Sequence, residues 1–135
     1  MKLHYRATYF IFALRMKNEK IRQIFLYKDY FADFYKKQKQ KVKEKILWTF
    51  RLIETMPQVP VEYLKHIEGT EGLYEIRIQL GSDIFRIFCF FDKCNLIVLA
   101  NGFQKKTQKT PKQEIAKALK IKEEYESKIK ELKIN

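Results

Sequence analysis

The stretch from Leu73 to Phe103 constrains this chain more than any other. Three runs rich in β-branched and aromatic residues, Leu73–Leu80, Asp83–Phe91 and Leu96–Phe103, are parted only by Gly81-Ser82 and by Asp92–Asn95. Runs of that length with such short breaks read as an antiparallel meander. A two-residue turn at Gly81-Ser82 sets Leu80 opposite Asp83, and a four-residue loop would leave the same register. Ile76 then faces Ile87, Ile78 faces Phe85 and Tyr74 faces Cys89, an apolar surface that belongs under helices. The other surface carries Leu73, Glu75, Arg77, Gln79, Ile84, Arg86, Phe88 and Phe90. It sets Arg77 directly opposite Arg86.

The rest of the chain supplies the cover. Ile21–Tyr27 reads as a first strand. Asp29 is placed to cap a helix to about Gln38, with Phe31, Phe34 and Tyr35 on one face. A second helix, from about Gln40 to Met56, has the stripe Val42, Ile46, Phe50, Ile53 and ends before Pro57 and Pro60. Two helices joined so closely form an antiparallel hairpin. Val61–Glu68 reads as a helical turn or loop. Thr110 as N-cap, Pro111 at the first helical position and Gln113 closing a capping box start the last helix. Its stripe is Ile115, Ala118, Ile121, Tyr125, Ile129 and Leu132. The order β-α-α-β-β-β-α predicts an α+β fold with the helices on one face of an antiparallel sheet.

One domain, residues 16–135, accounts for this pattern. Residues 1–15 form an N-terminal extension, with Met16 as a possible natural start. Within them Ala7–Leu14 is apolar and follows Lys2 and Arg6, but a bilayer span needs about 20 residues. No small-residue cleavage site follows it. A cytoplasmic protein that does not use a membrane is expected.

A formal charge of +12 points to an anionic partner. Cys89 and Cys94 lack zinc spacing and read as reduced thiols, so no metal or cofactor is expected. Of the two histidines, His4 falls in the extension, and His66 precedes the sheet as a surface or capping residue. Arg77 and Arg86 repel each other across the strands by up to about 1 kcal/mol unless something offsets it. Glu75, diagonal to Arg86, is the structural answer, and a bound phosphate is the functional one. A four-residue loop at Asp92–Asn95 would set Arg86 opposite Asn101, among the aromatics Phe88 and Phe103 on which bases can stack. Lys105, Lys106, Thr107 and Lys109 follow, bordering that surface and the start of the last helix. Lys36, Lys37, Lys39, Lys41, Lys43 and Lys45 crowd the turn between the first two helices. Such a run forms a solvated face or attracts RNA phosphates.

Gly72-Leu73-Tyr74-Glu75-Ile76-Arg77, Phe85-Arg86-Ile87-Phe88 and Ile97-Val98-Leu99 carry a resemblance. Gly102-Phe103-Gln104-Lys105-Lys106-Thr107-Gln108-Lys109-Thr110-Pro111 is its most characteristic part, followed by Glu114-Ile115 and Ala118. Over about residues 23–126 the sequence resembles the phage-derived, HigB-like branch of the RelE toxin superfamily. The resemblance implies a RelE-type fold and cleavage of mRNA, usually in the ribosomal decoding site. It also implies neutralisation by a small helix-turn-helix antitoxin. For such a reaction Arg77 and Arg86 would stabilise phosphorane charge, Lys106 or Lys105 would supply a proton, and Glu75 would serve as base, weakened by an arginine partner. Lys105, Thr107, Lys109, Phe103 and Asn101 would hold RNA. Two other readings stay open: a non-catalytic RNA-binding module or inactive toxin relic, and a protein-interaction or phage-associated structural domain.

Overall fold

The computed structural model describes residues 20–134, so the N-terminal extension and the proposed start at Met16 lie outside the described residues. The elements are β1 (Gln23–Leu26), α1 (Tyr30–Lys36), α2 (Gln40–Thr55), β2 (Leu64–His66), β3 (Leu73–Leu80), β4 (Asp83–Asp92), β5 (Leu96–Lys105) and α3 (Lys112–Ile134). The strands form one five-stranded sheet in the order β1-β5-β4-β3-β2.

The sheet is mixed where an antiparallel one was expected. β1 runs parallel to β5, from Gln23 opposite Leu96 to Leu26 opposite Leu99, while the other pairings are antiparallel. The segment read as a turn or loop contributes an edge strand, since Leu64 pairs with Ile76 and His66 with Tyr74. Three residues between prolines and a glycine turn carry too little period-2 pattern to be legible; the neighbouring edge of β3 imposes the pairing. At the start of α1, Asp29 makes no side-chain cap bond, and its carbonyl accepts from the Asp33 N–H at 2.9 Å. α3 begins at Lys112, one residue later than expected, with the Pro111 carbonyl accepting from the Glu114 and Ile115 N–H groups.

Helices cover both faces of the sheet, not one. On the first face Phe31 of α1 and Val42, Ile46, Phe50 and Ile53 of α2 pack on Ile76, Ile78, Phe85, Ile87, Ile97 and Leu99. On the second, Ala118, Ile121 and Tyr125 of α3 pack on Leu73, Phe88, Phe90, Val98 and Ala100. The cause is in the strands themselves. Leu73, Phe88 and Phe90 alternate with Glu75, Arg77 and Arg86 in one row, so half of that row is apolar. Burying a large apolar side chain contributes about 1.5–3 kcal/mol, enough to draw a second helix onto this half. The hydrophobic effect thus splits the second face into a covered half and a charged half.

Candidate functional site

The charged half follows from strand register. β3 and β4 pair as the turn arithmetic requires: Leu80 opposite Asp83, Ile76 opposite Ile87 and Arg77 opposite Arg86. β4 and β5 depart from expectation. Asp92 pairs with Leu96, so the connecting turn is Lys93–Asn95, with Lys93 at φ +63°. Further along, Cys89 faces Leu99 but Ile87 faces Gly102, so β5 carries one extra residue opposite Phe88. Together the shorter turn and the bulge place Phe103, not Asn101, opposite Arg86.

A bulge re-aims the side chains on its strand. Asn101 is 2% exposed and turns toward α3. Its Nδ2 donates to Glu114 Oε2 at 2.8 Å and to the Glu114 carbonyl at 3.2 Å. It fixes the first turn of α3 and does not front the arginines. Gly102 then turns to the α1 side, where a Cβ would stand 2.6 Å from Phe34 Cδ2.

Glu75 lies between the two arginines. Its Oε2 is 3.4 Å from Arg86 Nε and its Oε1 is 3.7 Å from Arg77 Nε. One carboxylate therefore serves two guanidiniums, leaving a net charge of one. Arg86 is 5% exposed, and its Nη1 donates to the Phe85 carbonyl at 3.1 Å. Arg86 Nε is buried without a hydrogen-bond partner. Burial draws this guanidinium below its ordinary value and Arg77 adds to the effect, while Glu75 opposes both. Arg77 is the accessible member, its side chain one-third exposed. The arrangement sets one cation at the surface and one beneath it, the donor geometry that an anion such as a phosphate would require.

The other candidates divide. Phe103 packs on Phe88 with ring centroids 5.3 Å apart, and Phe88 is fully buried beneath α3. The expected aromatic platform is therefore closed at Phe88, because the apolar half of the row needed cover, while Phe103 stays partly exposed. Lys105 ends β5 opposite Ile84, one pleat along from the Arg86–Phe103 pair and on the same face. Lys106, Thr107 and Lys109 are exposed in the loop beyond it, where Thr107 Oγ1 donates to the Lys109 carbonyl at 2.8 Å. His66 is exposed, with Nε2 3.0 Å from the Thr70 carbonyl and its ring against Tyr74.

A family model for the phage-derived protein Gp49-like matches residues 33–123. The chain belongs to this family. The match spans every candidate residue from Glu75 to Lys109 and stops within α3. No curated protein matches the chain. Among the described residues of this Gp49-like protein, no helix is long and apolar enough to cross a membrane.

One polar cluster had no legible trace in the sequence. The Glu124 carboxylate of α3 accepts from Tyr27 at 2.7 Å and Tyr30 at 3.0 Å and pairs with Lys28. The Lys28 bond first, then those from the tyrosines, hold it at about 2. Tyr125 donates to Asp92 Oδ2 at 2.6 Å, and burial, followed by that aspartate, pushes the phenol up to about 12. The partners of Glu124 lie more than ninety residues away, and no local spacing announces them. A hollow of about 570 Å³ beside this end of α3 mixes Glu71, Asp92 and Glu126 with Lys122 and Lys130. Neither Arg77 nor Arg86 lines it, and its mixed signs do not form a phosphate site.

Proposed function

We propose that this Gp49-like protein is a toxin-type endoribonuclease that cleaves mRNA on the ribosome and is neutralised by a cognate helix-turn-helix antitoxin. The arginine pair, bridged by one carboxylate and bordered by the Lys105–Lys109 loop, carries this reading. The toxin-like character of the Gp49-like family supports it.

Backbone cleavage by the RNA's own 2′-hydroxyl needs charge stabilisation more than a covalent catalyst. As that oxygen attacks the adjacent phosphorus, negative charge grows on the non-bridging oxygens. Arg77, at the surface, meets those oxygens, and Arg86 adds charge from below in a low-dielectric setting where it counts for more. Glu75, held between both arginines, accepts the 2′-hydroxyl proton. Lys106 protonates the departing 5′ oxygen, and Lys105, Thr107 and Lys109 hold the flanking phosphates. This route uses no metal ion.

A second reading has one observation in its favour. Burial of Arg86 against Glu75 also suits a purely structural ion pair, leaving an RNA-binding module without chemistry. Single-turnover cleavage of ribosome-bound mRNA separates the two. The protein is expected to cut the message, and Arg77→Ala to lower the rate by about 10²–10³ while the fold persists. Folded wild-type protein that leaves both message and cell growth intact would end the nuclease reading.

A further inference from the structure

We infer that one flank of α2, built on Lys41, Lys45 and Trp48, is a second RNA-binding surface that takes phosphates on its lysines and an unpaired base on the tryptophan. It does not depend on the cleavage chemistry proposed above. α2 packs on the sheet face opposite α3, whereas Arg77 and Arg86 lie on the α3 face.

Helix geometry gathers the three residues. Lys41, Lys45 and Trp48 are spaced by four and three, so they share one flank beside the buried stripe Val42, Ile46, Phe50 and Ile53. Trp48 is 49% exposed, a large fraction for the chain's one tryptophan. Lys45 Nζ sits 4.4 Å from the Trp48 ring centroid, and the Tyr63 ring abuts it at 5.9 Å in an edge-on arrangement. A solvent-facing indole already held by a cation and an aromatic edge is a pre-ordered stacking platform.

Its electrostatics point the same way. Residues 36–45 hold six lysines and one acid, Glu44, whose carboxylate meets Gln40 at 3.5 Å. Among the described residues, Lys37, Lys39, Lys41, Lys43 and Lys45 have no carboxylate within 4.0 Å, and Lys36 reaches Asp33 only at that limit. Among the described residues, these five lysines on a turn and a half-exposed helix have Glu44 as their one acidic neighbour in the run, and they repel one another. A polyanion whose charges repeat along its backbone removes that repulsion at several positions together. The combination with a half-exposed indole favours RNA over an acidic protein segment, which offers carboxylates but no planar base.

Trp48, as the sole tryptophan, reports occupancy directly. The probe is a 2′-O-methyl RNA stem-loop with an unpaired loop, which resists attack by its own sugar oxygen. The expected result is saturable quenching of Trp48 fluorescence in the full-length protein, retained in Arg77→Ala. Binding of the dye-labelled stem-loop, read by polarisation, should weaken roughly tenfold in Trp48→Leu, as loss of one stacked base requires. Lys41→Glu/Lys45→Glu should weaken it further and flatten the salt dependence by about 0.7–0.9 in log–log slope per lost phosphate contact. That double variant changes the exposed Lys41 and the half-buried Lys45, neither of them part of the core, and keeps the test valid if Trp48→Leu fails to fold, which circular dichroism shows. Binding without quenching, at wild-type strength in the lysine variant, overturns the inference. So does equal quenching by polyglutamate that also displaces the RNA, since the flank would then receive an acidic protein.

Discussion

Glu75→Gln tests whether the arginine pair is an organised unit. In the wild-type protein the Glu75 carboxylate lies within 4.0 Å of both guanidiniums, and its side chain is 11% exposed. Removing its charge leaves Arg77 and Arg86 directly opposite one another, with Arg86 buried and uncompensated. Breaking a buried pair from one side costs about 3–5 kcal/mol. The separations of 3.4 and 3.7 Å, and an Arg86 Nε that makes no hydrogen bond, place this case at about 3. Arg86→Met removes a charge too but leaves Glu75 paired with Arg77 and keeps an apolar stem, so about 1 kcal/mol is expected. In Glu75→Gln/Arg86→Met no uncompensated charge remains buried, and most of the loss should return. At about 4 °C per kcal/mol for a domain of this size, Glu75→Gln should melt about 12 °C early and the double variant within about 4 °C of wild type. Circular dichroism melts of the four proteins close the double-mutant cycle. Single losses that add to within about 0.5 kcal/mol would refute the reasoning, because Glu75 would then not organise the arginines. Cleavage assays on the same proteins add the functional arm: Arg86→Met should be nearly as stable as wild type yet cut about 10²–10³ more slowly.

Gly102→Ala should lower the melting temperature, because its Cβ would meet three Phe34 ring atoms at 2.6–2.9 Å. The overpacking cost is about 1–3 kcal/mol, and adding Phe34→Leu should recover part of it in the same melt. Glu124→Gln tests the tyrosine–lysine anchor through pH. The Glu124 carboxylate sits at about 2 in the fold against 4.5 for a free glutamate, so its stabilisation is full above 4.5 and fades as pH falls toward 2. Melts across pH should show wild type above the variant at neutral pH and the two converging near pH 2; a gap independent of pH would show that the carboxylate's charge does not act there.

How much of this was legible depended on the range of the determining interaction. The β3–β4 register followed from a glycine turn and a period of two, both local, and those two features suffice to set Arg77 opposite Arg86. The stripe of α2 was equally local, and that of α3 holds from Ile115 to Ile129, whereas Leu132, read as its last member, is 73% exposed because the helix has run past the sheet it covers. The β4–β5 register was not, because a one-residue shorter turn and a one-residue bulge each look like nothing in a run of β-branched and apolar residues. The parallel docking of β1 and the pairing of β2 are tertiary choices made by the edges of β5 and β3. The expectation of helices on one face failed for a reason that was present in the sequence. Leu73, Phe88 and Phe90 share a row with the arginines, and a row half apolar cannot stay bare.

The bulge in β5 ties the candidate site to that second helix. Without the extra residue, Asn101 would turn to the α1 side and Gly102 to the α3 side. With it, Asn101 reaches Glu114 at 2.8 Å and Gly102 lets Phe34 approach from the other face. Both neighbours of the inserted step are thus used, one by each helical layer. The Lys105–Lys109 loop begins at the end of β5 and runs into α3, so Asn101 and Lys112 bracket it. Register sets Lys105 one pleat from the Arg86–Phe103 pair, and the strand end and the helix start fix where the rest of the loop leaves and rejoins the fold. Loosening the Asn101–Glu114 bond should therefore disturb the lysines first and the arginine pair, anchored in β3 and β4, much less.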